Sequence, residues 1–164
     1  MQPIGVSVID AKTWTDPHCP VARAVDIVGD KWSLLIVRDA FDGARRFTQF
    51  QRNLGIAKNI LADRLRALVD DGILECVPNA NGTRTEYVLT GRGADLFTVV
   101  LGLRQWGERH AFGEGEKHSI LTDSVDQRVP TLRVLDGDGR ELISSDTHVV
   151  RDLGALESGS DGRM

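Results

Sequence analysis

Cysteine is scarce in this chain of 164 residues. Cys19 and Cys76 stand alone and far apart, which excludes a disulfide framework and a four-cysteine zinc site and fits a reducing compartment. Long apolar runs are missing too: nothing approaches the roughly twenty residues of a bilayer span. The opening MQPIGVSVIDAKTW lacks the basic flank and apolar block of a secretory signal. The expectation is a cytoplasmic protein with no membrane partner. The four histidines are scattered, no glycine-rich phosphate loop follows a strand, and DGDGRE lacks the ligand series of a calcium loop. With no catalytic constellation, the chain is not read as an enzyme and no cofactor is expected. Beyond Cys76 only His118 and His148 come near the chemistry of a metal ligand in the tail, so no structural zinc is expected there.

What is present is enough for one core and an appendage, since 41% of the residues are hydrophobic. Taken alone, the net charge of -4 argues against nucleic acid, whose phosphates are met by Lys and Arg. The charge is unevenly spread, however. Residues 31–70 hold eight Lys or Arg against four Asp or Glu, and residues 111–164 hold six against eleven. A basic segment therefore precedes an acidic tail.

The periodicity predicts a run of helices. In HCPVARAVDIVG, Pro20 suits the first helical position, Cys19 the cap and Gly29 a left-handed stop. Asp30 caps KWSLLIVRDAFDG, whose Trp32, Leu35, Ile36 and Ala40 form a stripe, with Trp32 read as core. After an extended piece at residues 45–47, Thr48 and Gln51 have the spacing of a capping box and start a short third helix. Gly55 and Ile56 make a tight connection to KNILADRLRALVD. Its apolar set is Ile60, Leu61, Leu65, Leu68 and Val69, and its outer set is Lys58, Asn59, Ala62, Asp63 and Arg66. A short helix, a turn and a longer helix make a helix-turn-helix.

Two strands, ILECVPN and TRTEYVLT, flank the turn at residues 79–82 and form a wing, in which Cys76 is expected to pack. Thr90 caps a long helix through residue 110, with Leu96, Val99, Val100, Leu103 and Trp106 at helical spacing. After the linker GEGEKHS, VPTLRVLDGDGRELISS alternates around the turn at residues 136–139 and predicts a second hairpin. The expected fold is mainly α with a small β wing (α+β). It divides into an N-terminal arm at 1–16, a winged helix-turn-helix at 17–112, a C-terminal β-hairpin extension at 113–155 and a disordered tail at 156–164.

The series CPVARAVDIVGDKWSLLIVRD, RRFTQFQRNLGIAKNILADRLRALVDDGIL, TEYVLTGRGADL and LRQWGERH, taken in order, resembles the HxlR-type winged helix-turn-helix transcriptional regulators over residues 18–110. That resemblance implies a homodimer that binds double-stranded DNA at an inverted repeat. Lys58 and Asn59 then read bases from the major groove, and Arg66 reaches bases or phosphate. Arg64, beside the packed stripe, pairs with a carboxylate, and Asp63 pairs internally. Arg45, Arg46 and Arg84 contact the backbone or minor groove. The chain departs from the family at Ala57, where many members carry a capping Ser.

In proteins of this kind the terminal helix packs across a twofold axis, which assigns Leu96, Val100, Leu103 and Trp106 to a dimer interface. Some HxlR-like regulators sense oxidants or quinones through a cysteine near the start of the first helix. Cys19, at a cap where exposed N–H groups stabilise a thiolate, is the candidate for a redox or electrophile effector, with His18 beside it. The competing reading is a ligand- or protein-binding module in which the C-terminal hairpin carries recognition.

Overall fold

The computed structural model describes residues 13–151, so the expectations for residues 1–12 and for the tail at 156–164 lie outside the described residues. The chain divides into two compact units, one ending at Arg104 and the other starting at Gln105. In the first unit the order is α1 (Pro20–Val28), α2 (Lys31–Phe41), α3 (Phe47–Leu54), α4 (Lys58–Asp70), β1 (Leu74–Pro78), β2 (Thr85–Leu89) and the short α5 (Gly91–Ala94). The last helix, α6 (Phe97–His110), begins in the first unit and ends in the second.

The helix starts follow local side-chain chemistry. Cys19 Sγ accepts the Ala22 N–H at 3.4 Å in front of Pro20. Asp30 Oδ1 accepts the N–H groups of Trp32 and Ser33 at 3.0 and 3.1 Å, and its other oxygen takes the hydroxyl of the buried Ser33. The third helix differs from the sequence expectation. It starts one residue earlier, and Gln49 Oε1 accepts the N–H groups of Arg45 and Arg46 at 3.0 and 2.9 Å, in place of a box between Thr48 and Gln51. Gly29 also differs, since its φ is -74° and not left-handed. A side chain is excluded there by crowding, because a Cβ would lie 2.5 Å from the Val25 carbonyl oxygen.

Phe50, Ile36, Leu61, Leu65, Leu68 and Leu74 are the largest fully buried side chains, so α2, α3, α4 and the root of the wing share one core. Each such side chain contributes about 1.5–3 kcal/mol on burial. Trp32 packs half-buried against this core, with the Lys31 ammonium 4.5 Å from its ring centroid. Ile60, expected on the apolar face, is 39% exposed. Arg64 reaches Asp30 at 3.6 Å, the carboxylate pairing expected for it.

β1 and β2 are antiparallel, with Leu74 opposite Leu89 and Cys76 opposite Tyr87. Cys76 is exposed rather than packed, because a ribbon of only two strands leaves one face uncovered. The single long helix expected after Thr90 is broken. Thr90 Oγ1 accepts the Gly93 N–H at 3.0 Å and donates to the Gly72 carbonyl at 2.6 Å, capping only α5. Gly93 fits closely enough to Ile73 that a Cβ would sit 2.1 Å from its carbonyl oxygen.

In the second unit the expected hairpin shrinks to turns closed by single bridges, Thr122 with Arg128 and Leu135 with Glu141. The turn at 136–139 is held by Asp136, whose carboxylate accepts the Asp138 and Arg140 N–H groups at 3.0 and 2.9 Å. These hydrogen bonds and the Arg140 guanidinium hold the Asp136 carboxyl below its ordinary range.

Asp30 supplies both a cap and the only side-chain partner of the Ser33 hydroxyl among the hydrogen bonds described. Asp30→Ala is therefore expected to lower the unfolding free energy by about 2 kcal/mol in urea titrations at a fixed protomer concentration. Asp30→Asn, which still caps, should lose less.

Candidate nucleic-acid interface

The turn between α3 and α4 is set by Gly55, whose φ of +60° favours glycine. Its N–H closes α3 on the Gln51 carbonyl at 2.9 Å, and Ile56 drops into the core. Ala57 occupies the cap of α4 with extended backbone and provides no side-chain acceptor. The first turn of α4 therefore presents amide N–H groups beside the exposed Lys58 and Asn59, an arrangement suited to an anion.

Further along the outer face, Arg66 pairs with Asp63 at 3.1 Å, the internal pairing expected for that carboxylate. Both side chains are about two-thirds exposed. Such a pair is worth only a few tenths of a kcal/mol, so a phosphate or base edge can draw Arg66 away at small cost.

Arg45 and Arg46 are joined to the wing through one residue that the sequence reading did not single out. Glu86, on β2 and only 14% exposed in its side chain, lies 3.9 Å from Arg45 Nη1 and 3.6 Å from Arg46 Nε. The Tyr87 N–H also donates to the Arg45 carbonyl at 2.7 Å. Burial pushes the Tyr87 phenol above its ordinary pKa and Cys76 adds to the rise, while the charge of Arg66 opposes both. The Tyr87–Arg45 hydrogen bond and the Glu86 pairs thus tie the start of α3 to the root of the wing.

At the wing tip Asn79 Oδ1 accepts the Thr83 and Arg84 N–H groups at 2.9 and 3.2 Å. This fixes the loop that presents the exposed Arg84, which has no ion pair among the described residues. Exposed Arg52 and Asn53 close α3 beside the turn and were also passed over. Their polarity in FTQFQRNLG was the available signal, whereas nothing local marks Glu86 as the partner of two arginines.

The proposed interface residues of the terminal helix divide into two kinds. Leu96 and Val100 pack half-buried against the core, whereas Leu103 and Trp106 are 51% and 58% exposed. Cys19 is half-buried at the start of α1. No group of three His, Cys, Asp or Glu side chains able to hold a metal occurs among the described residues. None of their helices is long and apolar enough to cross a membrane.

Residues 27–114 match the HxlR-like helix-turn-helix family. The chain belongs to that family. Among proteins of known structure, PA1607, a candidate transcription factor, is 51% identical with a TM-score of 0.78, over 82% of this chain and 95% of that one. The redox regulator HypR in its reduced form is 33% identical with a TM-score of 0.52, over 57% of this chain and 94% of that one. An uncharacterised HTH-type transcriptional regulator of Mycobacterium tuberculosis is 48% identical over 91 residues, 55% of this chain. The match spans 58% of that relative's length.

The extended cap conformation at Ala57 is ready to receive a serine side chain. Ala57→Ser is expected to raise the unfolding free energy by about 1 kcal/mol, measured by chemical denaturation. An unchanged midpoint would mean that solvent already satisfies the first-turn amides equally well.

Proposed function

We propose that this HxlR-like chain is a transcriptional regulator that binds an inverted repeat in double-stranded DNA as a homodimer. The observation that carries the reading is the exposed start of α4. Lys58 and Asn59 stand there without a capping side chain, and the exposed Arg66 follows on the same helix. Placed in the major groove, Lys58 pairs with guanine and Asn59 with adenine edges. Arg45, Arg46 and Arg84 serve phosphate or the minor groove, which positions the protein without selecting sequence. Net charge does not oppose this, since affinity follows the local Lys and Arg that displace counterions.

Twofold symmetry supplies two copies of α4, and exposed apolar side chains support it. Val21 and Val25 on α1, and Leu103 and Trp106 on α6, remain largely uncovered in one chain. A second copy covers them at a gain of about 25 cal/mol per Å² of apolar surface.

Selection from a random DNA pool at two salt concentrations is expected to yield half-sites about 34 Å, or a multiple, apart. Lys58→Ala and Asn59→Ala should each cost about 1–3 kcal/mol and relax preference at defined bases, while Arg46→Ala should weaken all sequences alike and reduce the salt slope by about 1. Leu103→Asp should give monomers in sedimentation and lose the preference for paired half-sites. Equal loss of specific and non-specific binding in all three DNA-contact variants would remove α4 from the reading.

A redox or electrophile response through Cys19 is a second reading, supported by the half-buried sulfur at the start of α1 and by the likeness to the redox regulator HypR. The thiol adds to a quinone ring carbon, its proton passing to the quinone oxygen. Alternatively it joins Cys19 of the second copy while peroxide is reduced to water. Either product shifts α1 against its partner. A quinone or peroxide should change operator affinity about fivefold or more in the unmodified chain and leave Cys19→Ser unmoved, and an equal change in both would make Cys19 a structural cap.

A further inference from the structure

The second unit contains a cavity of about 360 Å³ between the end of α6 and the segment that follows it. Its walls include Glu108, Arg109, His118, Arg128, Val129 and Pro130. The proposed DNA-binding surface uses none of them.

The cavity is built around Gln105, nine-tenths buried, whose amide bonds to the returning chain as a strand would. Nε2 donates to the Pro130 carbonyl at 3.0 Å and Oε1 accepts the Leu132 N–H at 2.8 Å. The Val129 N–H donates to the Leu121 carbonyl at 3.0 Å, closing the same segment on itself. Given a helical advance of about 100° per residue, Glu108 lies on the side of α6 opposite Trp106, while Gln105 and Arg109 flank the indole.

The charges in this wall do not cancel. Arg128 Nη2 lies 3.3 Å from Glu108 Oε2, a pair that occupies one edge of one guanidinium and one carboxylate oxygen. Arg109 is exposed and has no ion pair among the described residues. Two fixed positive charges therefore face one negative charge. His118 Nδ1 lies 2.9 Å from the Ser119 carbonyl, and since a carbonyl only accepts, the proton sits on Nδ1 and Nε2 is left to serve as an acceptor when the ring is neutral. The ring rests against Phe112 at 4.9 Å between centroids.

We infer that this cavity binds a small organic carboxylate. A guanidinium offers paired N–H donors that match the two oxygens of a carboxylate. Val129 and Pro130 give the organic part an apolar wall, and the volume sits at the small end of ligand pockets. Inorganic phosphate has no organic part to place against that wall. The site stands independently of whether α4 reads DNA.

The test is a titration of the full ¹⁵N-labelled chain with sodium benzoate, followed by amide chemical shifts, against sodium chloride at matched ionic strength. Saturable shifts are expected around Gln105, Arg109, His118 and residues 128–131. Affinity should fall about tenfold in Arg109→Gln and in Arg128→Gln, one charge-assisted pairing being lost in each. Glu108→Gln should instead bind benzoate more tightly, because it releases Arg128, an outcome that general disruption of the fold does not produce. Linear or dispersed shifts, affinity left unchanged by both arginine substitutions, or saturation by inorganic phosphate and not by benzoate would overturn the assignment.

Discussion

One carboxylate sets the position from which the proposed DNA surface is presented. Asp30 caps α2 through the Trp32 and Ser33 amides and satisfies the buried Ser33 hydroxyl. It also meets Arg64 of α4. Leu61, Leu65 and Leu68 bury one side of α4, but an apolar stripe resists a small rotation about the helix axis only weakly, because hydrophobic burial is non-directional. A polar tie from the neighbouring helix supplies the direction. Its two side chains are a third or more exposed, so the pair adds little stability and its value lies in orientation. The cap hydrogen bonds carry the energy, and Arg64 uses the group that they hold still.

Glu86 does related work on the other side of the same surface. A carboxylate close to the proposed path of DNA costs electrostatic attraction, yet its position between Arg45 and Arg46 limits the rotamers of two long side chains that otherwise lose conformational entropy on binding. Arg84, with no ion pair among the described residues, retains that entropy cost and also its full charge. The surface thus combines arginines ordered in advance at the start of α3 with a freer one at the wing tip. In the proposed complex, salt dependence would follow from both, because each phosphate contact displaces counterions.

What could be read in the sequence was what depends on near neighbours. Asp30 and Cys19 cap helices because the groups they bind are two or three residues away. Lys58 and Asn59 face outward because the stripe of Leu61, Leu65 and Leu68 leaves them no other side. Features decided by distant parts of the chain were not legible. The break before α6 comes where Gly93 fits against Ile73, twenty residues earlier in the chain. Glu86 meets Arg45 and Arg46 only after the wing folds back. Alternation at residues 130–145 suggested a ladder, but alternation specifies a face and not a partner strand. Only single bridges formed. Cys76 failed for a similar reason: a strand residue packs when something covers its face, and the two-stranded wing leaves that face open.

The two readings of Cys19, as a cap and as a sensor, make different demands on α1. A cap needs only the Ala22 N–H, which the sulfur receives at 3.4 Å, and a serine hydroxyl serves that role as well. A sensor needs two dimer arrangements that differ in free energy once the sulfur is modified, since a modification with equal effect on both states shifts nothing. The large exposure of Val21 and Val25 leaves α1 available as the lever of the proposed switch. Their contacts in the proposed dimer would lie within one or two helical turns of the sulfur, so an adduct bulkier than a hydroxyl would either displace those contacts or be displaced by them. Apolar packing of that kind tolerates two discrete arrangements better than a continuous series. In the proposed dimer a shift of α1 would change the spacing of the two α4 helices, and paired half-sites at fixed separation are sensitive to that quantity.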